Sequence, residues 1–291
     1  MREVRARHRR RTRRRALLAG ATVVVLVVGT VTAVLASDRD HGPADGGRHA
    51  VGKWKLVLDD DFDSDVLDTD IWNTCHWWGP DGCTIASNDE LQWYQPDQVS
   101  VSDGHLMLTA DERSVRGSDG RRYEYVSGMV TTGPHEDGRS ARVEITYGRV
   151  EARVRTPTGT GLWSALWMLP SDTDSRPEID IMEALGNNPG ELLFHLHPMD
   201  RDQDSPDHRM NDDSLTRGWH DIAIDWEPGV VRWFVDGTNV WTVEGDMVPD
   251  EPMYLVANLA VGGVYPGAPN DDTKFPAQFE IDRVRMWQRP S

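Results

Sequence analysis

With 291 residues, 38% of them hydrophobic, and twelve tryptophans, the chain is long enough to bury a sizeable core, as one large domain or two modest ones beside a targeting segment. Its formal net charge of −17 hides an asymmetry. Residues 1–36 carry nine arginines against one glutamate, and setting that +8 aside leaves −25 on the remainder. A domain this acidic has the wrong field for nucleic-acid phosphates, which excludes a nucleic-acid partner and leaves neutral or cationic substrates. The net charge as a whole is better explained by the solubility of an exported protein.

The arginine-rich head MREVRARHRRRTRRR runs into an uninterrupted apolar stretch from Ala16 to Ala36. This pair reads as a membrane signal, with the positive head held inside and everything after it sent outside. Val34-Leu35-Ala36 before Ser37 supplies small residues for cleavage, while the length of the run also suits a retained single span. The expectation is therefore an extracytoplasmic protein, either secreted or tethered through residues 16–36 alone. Arg13-Arg14-Arg15 also admits a twin-arginine export route. Residues 37–52, SDRDHGPADGGRHAVG, read as a flexible linker, and 53–291 as the folded domain, expected to act as a monomer.

Cys75 and Cys83 bracket CHWWGPDGC, and outside the cytosol so close a pair reads as one disulfide pinning a loop. The competing reading, a metal site of the two thiols and His76, lacks a fourth ligand nearby. No nucleotide, flavin or redox-metal signature is present, so no cofactor is expected for the chemistry.

From Trp54 to Trp287 the chain shows short alternating runs between turn signals and no long amphipathic helix. In ARVEITYGRVEARVRTP the positions Val143, Ile145, Val150, Ala152 and Val154 form a packing face, with Arg149, Glu151, Arg153 and Arg155 on a face expected to be wet. HDIAIDWEPGVVRWFVDGTNVWTV predicts a meander with turns at Pro228-Gly229 and Asp236-Gly237, and FEIDRVRMWQ predicts a final strand. About a dozen strands exceed a single open sheet and predict an all-β, two-sheet antiparallel sandwich or jelly roll. Trp219, Trp226, Trp233 and Trp287 alternate within these strands and are read as core.

The stretch EIDIME, Glu178 to Glu183, crowds three acids into one strand. Alternation puts Glu178 and Asp180 on one side, and regular pleating would turn Glu183 to the other, burying a carboxylate without a partner. A one-residue bulge at Ile181 or Met182 restores Glu183 to the outer face. Two glutamates so placed can approach the ~5–5.5 Å separation of retaining glycosidases, where one attacks the anomeric carbon and the other, protonated, assists the leaving oxygen. A solvated acidic strand or a calcium site is the bland alternative. Just upstream, GTGLWSALWMLP places Trp163 and Trp167 where aromatic faces would stack on sugar rings.

The blocks LVLDDDFDSDVLDTDIWN, NDELQWYQPDQVSVSDGHLMLTA, YGRVEARVRTPTGTGLWSALWMLP, PEIDIMEALGNNPG, IAIDWEPGVVRWFVDG, PMYLVANLAVGG and FPAQFEIDRVRMWQ, in that order, resemble glycoside hydrolase family 16, in particular bacterial laminarinase-like endo-β-1,3-glucanases. The resemblance implies a concanavalin A-like jelly roll with a concave-face substrate cleft and hydrolysis of β-glucan with retention. It implies Glu178 as nucleophile, Glu183 as acid/base and Asp180 as the assisting acid. The extra Met182 is the spacing associated with β-1,3-glucanases rather than lichenase-like members. Trp163 and Trp167 match cleft tryptophans and His197 the family histidine beside the acids. Asn88, Glu90, Trp93, Trp77, Trp78 and Asn258 are further expected substrate contacts, with packing beneath a loop the other reading of Trp93 and strand capping that of Asn258; Asp61 and Asp282 would hold a structural Ca2+, the other reading of Asp282 being a solvent-facing strand residue. Ser127-Gly128-Met129 replaces a stretch that often carries a cleft arginine, and PMDRDQDSPDHRM replaces a glycine-rich one. Other functions open to the same fold are a glucan transglycosylase, through the same covalent intermediate, and a β-glucan-binding protein, which would characteristically have lost the acids.

Overall fold

The computed structural model describes residues 54–78, 82–135, 140–171 and 176–290. The expected leader or anchor at 1–36 and the linker at 37–52 lie outside the described residues. Among the described residues no helix is long and apolar enough to cross a membrane.

Two antiparallel sheets form a jelly-roll sandwich, as the alternation predicted. The first runs in the order Thr238–Glu244, Val230–Val235, His220–Glu227, Gly148–Arg155, Ala277–Gln288, His105–Ala110, Val99–Ser102, with Lys55–Asp60 also paired to Ala277–Gln288. The second runs Asp207–Asn211, Glu191–His197, Glu178–Leu185, Leu162–Pro170, Met253–Val261, Met129–Thr131, with Glu144–Ile145 also beside Met253–Val261. The inner faces pack Val150, Ala152, Ile222, Ile224 and Trp233 of the first sheet with Leu166, Met168, Ile179, Phe194 and Leu255 of the second in one core. The meander forms at the expected turns: Gly229 has φ +72°, and Asp236 and Gly237 have φ +49° and +78°, both central residues in the left-handed region that a primed hairpin turn requires.

Two sequence expectations change. ARVEITYGRVEARVR is not one strand: Tyr147 at φ +65° and Gly148 at φ +149° break it, so Glu144–Ile145 joins the second sheet and Gly148–Arg155 the first. The supposedly wet face of the latter is also buried at its start. Arg149 places Nη1 2.8 Å from Asp225 and Nη2 2.9 Å from Glu151, and its guanidinium lies 5.4 Å from the centre of the Phe234 ring. Arg283 stands 2.8 Å from Asp221 and 3.8 Å from Glu151. Three neighbouring strands thus neutralise one another's charges under little solvent. Trp226 and Trp233 are fully buried as expected, whereas Trp219 and Trp287 are half-buried. Trp219 instead sits under the Arg155 guanidinium at 4.9 Å.

Removing one member of a buried ion network strands its partners. Arg149→Leu should lower the unfolding free energy by roughly 3–5 kcal/mol, read from urea denaturation; a loss under 1 kcal/mol would mean that Glu151 and Asp225 are solvated after all.

Candidate active site

The acidic strand Glu178–Leu185 carries the expected irregularity. Against Leu162–Pro170, Leu166 pairs with Met182 and Trp167 with Asp180, skipping Ile181; against Glu191–His197, Asp180 pairs with His195 and Glu183 with Leu193. One extra residue is therefore accommodated, and Ile179, Ile181 and Met182 all point into the core. Glu178, Asp180 and Glu183 consequently share the outer face and line one cleft with Trp78, Trp163, Trp167, Glu90 and Asn258. A donor from the opposite sheet fixes the bulge: the buried Trp233 indole N–H donates to the Asp180 carbonyl at 2.9 Å.

Polar partners orient each acid. The Trp163 indole donates to Glu183 Oε1 at 2.9 Å, and His195 Nδ1 stands 2.6 Å from Glu183 Oε2. His197 Nε2 lies 3.3 Å from Asp180 Oδ2, while Asp180 and Glu178 hydrogen-bond to each other. Burial, then the Asp180 charge, pushes Glu178 well above the usual carboxylate range. Burial and the Glu183 charge push Asp180 up to about 8. The two hydrogen-bonded carboxyls therefore retain a proton between them at neutral pH, since two adjacent buried anions without a cation are costly. Burial lowers His197, whereas the contact with Glu183 raises His195 against its own burial.

The remaining expected contacts divide. Trp167 is buried at the cleft floor, its N–H donating to Asn258 Oδ1 at 2.7 Å; Asn258 Nδ2 reaches the Tyr94 hydroxyl at 3.0 Å. Glu90 accepts from the Ile85 backbone N–H, from Gln92 and from Asn88. Trp93 is a correction: in the short strand Gln92–Tyr94 it faces away from Tyr94, packs 5.2 Å from Tyr123, and does not line the cleft. Trp77 is another, since its N–H points at the Tyr254 hydroxyl at 3.3 Å and only its neighbour Trp78 lines the cleft. Cys75 and Cys83 form the expected disulfide, which removes the thiols from any metal set with His76. His76 instead stacks 4.0 Å from Trp78, and burial lowers it to about 3, keeping it neutral.

The calcium expectation does not fit the side chains. Asp282 Oδ2 already faces Arg283 Nη1 at 3.7 Å and Arg153 Nε at 4.0 Å, guanidinium groups that would repel a cation, and Asp61 is exposed. Among the described residues the convergent His/Asp/Glu sets lie in the cleft itself.

Sequence reasoning missed His195 and Tyr265. His195 was legible in FHLH, because residues two apart in a strand share a face. Tyr265, in a turn after the Met253–Val261 strand, meets Trp163 edge-on at 5.3 Å. It is held there by Gly263, whose φ of +110° and approach to the Asn88 carbonyl leave no room for a Cβ.

A sandwich whose outer sheet face gathers two glutamates and an aspartate within an aromatic-walled cleft belongs to the carbohydrate-cleaving β-sandwich proteins. The chain belongs to the glycosyl hydrolases family 16, whose family model matches residues 87–285. It is 32% identical over 269 residues to glucan endo-1,3-beta-glucosidase A1 of Niallia circulans, covering 82% of this chain and 38% of that protein. It is 30% identical over 296 residues to the beta-glucanase of Rhodothermus marinus, covering 92% and 94%. The catalytic domain of an endo-1,3-beta-glucanase (laminarinase) from Thermotoga petrophila superposes with a TM-score of 0.72 at 30% identity, over 82% of this chain and 99% of that domain. Against the first relatives it matches, the chain spans about half their length or less.

Burial raises Glu90 from 4.5 to about 7, although its hydrogen bonds favour the anion. A group raised on folding stabilises fully below its unfolded value and loses that contribution as pH climbs through the folded one. Relative to wild type, Glu90→Gln should therefore gain about 3 kcal/mol in unfolding free energy between pH 4.5 and 7 and nothing more above. Urea melts across that window measure it; a pH-independent difference would contradict the burial argument.

Proposed function

We propose that this chain is a retaining endo-β-1,3-glucanase that cleaves internal bonds of laminarin-like β-glucans. The observation that carries the reading is the co-facial placement of Glu178, Asp180 and Glu183 across a bulge in a strand that lines an open, aromatic-walled cleft. Glu178 is the nucleophile: with the shared proton resting on Asp180, its carboxylate is free to bond the anomeric carbon. Glu183 protonates the departing glycosidic oxygen as that bond breaks. It then takes a proton from the water that releases the sugar from Glu178, so each group ends as it began. Trp163 and Trp78 supply faces for sugar rings, and Asn258, Asn88 and Glu90 polar contacts beside them.

Preference for β-1,3 over mixed linkage draws support from the extra residue in the acid motif and from solved structures named as endo-1,3-beta-glucanases, while two of the relatives in sequence are named endo-1,3-1,4-beta-glycanases. Export draws support from the Cys75–Cys83 disulfide, which persists in oxidising compartments.

The test is hydrolysis of laminarin, mixed-linkage β-glucan and agarose, followed by reducing-end release and proton NMR of the first-formed anomer. Laminarin should give internal cleavage with the β-anomer first. Glu178→Gln should lower kcat by roughly 10³-fold or more. Retained activity in that variant would overturn the assignment. Sugar binding without turnover in the wild type would favour a glucan-binding protein, and longer products a transglycosylase.

A further inference from the structure

We infer that His195 is a positioning residue that holds the transferable proton of Glu183 between Nδ1 and Oε2 and so sets the alkaline limit of turnover. The inference rests on Glu183 acting as the acid/base. The Trp163 indole can only donate, so Glu183 Oε1 accepts from it; the carbonyl oxygen of a carboxylic acid is the stronger acceptor, which favours Oε2 as the carrier of the proton that leaves with the glycosidic oxygen. Oε2 is the oxygen 2.6 Å from His195 Nδ1, a contact off the line of the ring N–H, so that proximity and charge couple the two groups. Whether the proton rests on oxygen or nitrogen, the pair holds one proton as a unit.

The groups facing the His195 ring favour keeping that proton. From the acidic strand come Glu183 and, at 4.0 Å, Asp180; from the edge strand Asp207–Asn211 comes Asp207, directly opposite His195 in register. On its own strand His197 stacks at 5.7 Å and opposes a second charge. Three carboxylates thus outweigh one imidazole and partial burial, in keeping with the upward displacement of His195. In turnover no proton is gained or lost overall. The pair yields one to the leaving oxygen as Glu178 bonds the anomeric carbon, and recovers one from water as that bond is cleaved.

The alkaline limb of kcat/KM then reports loss of the proton from the pair. With glutamine at 195 the carboxyl must hold it alone. In His195→Gln and His195→Asn the alkaline limb should move to lower pH by about one unit, with the acid limb unmoved. Coincident alkaline limbs in folded variants would overturn the inference. An independent readout needs no change at 195: nitrogen-15 NMR of the imidazoles should show the His195 midpoint falling in Glu183→Gln, and an unchanged midpoint would refute the pairing. If Glu178→Gln and Glu183→Gln both remained active, the catalytic reading would fail, while the NMR comparison would still decide whether the pair exists.

Discussion

The cleft depends on one extra residue in one strand. Without the skip at Ile181, Glu183 would point between the sheets among Ile179, Phe194 and Leu255, an unpartnered charge in an apolar core. With it, two consecutive apolar side chains, Ile181 and Met182, turn inward and three acids turn out. A bulge disturbs the ladder locally, and the Trp233 indole from the opposite sheet takes up the Asp180 carbonyl. Trp233 is itself fully buried and packed 4.3 Å from Trp241, so the donor is rigid. The core of the sandwich and the geometry of the cleft are joined through this contact. A core substitution at Trp233 would be felt at the carboxylates on the other side of the sheet.

The acids are then brought close without cations. Their partners are each other, an indole donor on Glu183, and two imidazoles from the adjacent strand. An arginine at the same place would fix every carboxylate as an anion. The imidazoles can be neutral or cationic, so the cluster keeps protons that it can give up. Met129 contributes to the same end: it is fully buried and packs with Trp167 and Tyr94 beneath the cleft floor, where it adds no charge. The aromatic floor is correspondingly held by Asn258, which bridges Trp167 and Tyr94 with neutral hydrogen bonds.

Much of this was legible because strands have a period of two. Parity alone exposed the misfit of Glu183 and demanded the bulge, and it placed Trp226 and Trp233 inside. Parity also places His195 with His197, and Tyr94 opposite Trp93. Other features lie beyond any local pattern. Arg149 and Glu151 look solvent-facing in sequence, and they are buried because Asp225 and Phe234, more than seventy residues away, come to lie against them. Asp282 looks free until Arg153 is seen across the ladder. The break at Tyr147 depends on a left-handed backbone that a tyrosine does not advertise.

The two outer faces of the sandwich make the governing contrast plain. Both carry buried carboxylates at alternating positions, and burial pushes Asp225 and Asp221 upward as it does Asp180. On the first sheet Arg149 and Arg283 stand within 2.8 Å of those aspartates and pull them back toward ionisation. Those acids are fixed as anions and serve the fold. On the second sheet, among the described residues, no arginine or lysine forms an ion pair with Glu178, Asp180 or Glu183, so burial and mutual repulsion prevail at Glu178 and Asp180, which keep a proton between them. Stability and reactivity are thus separated by where the chain places its guanidinium groups. The same residue type holds one sheet together and leaves the other able to move a proton.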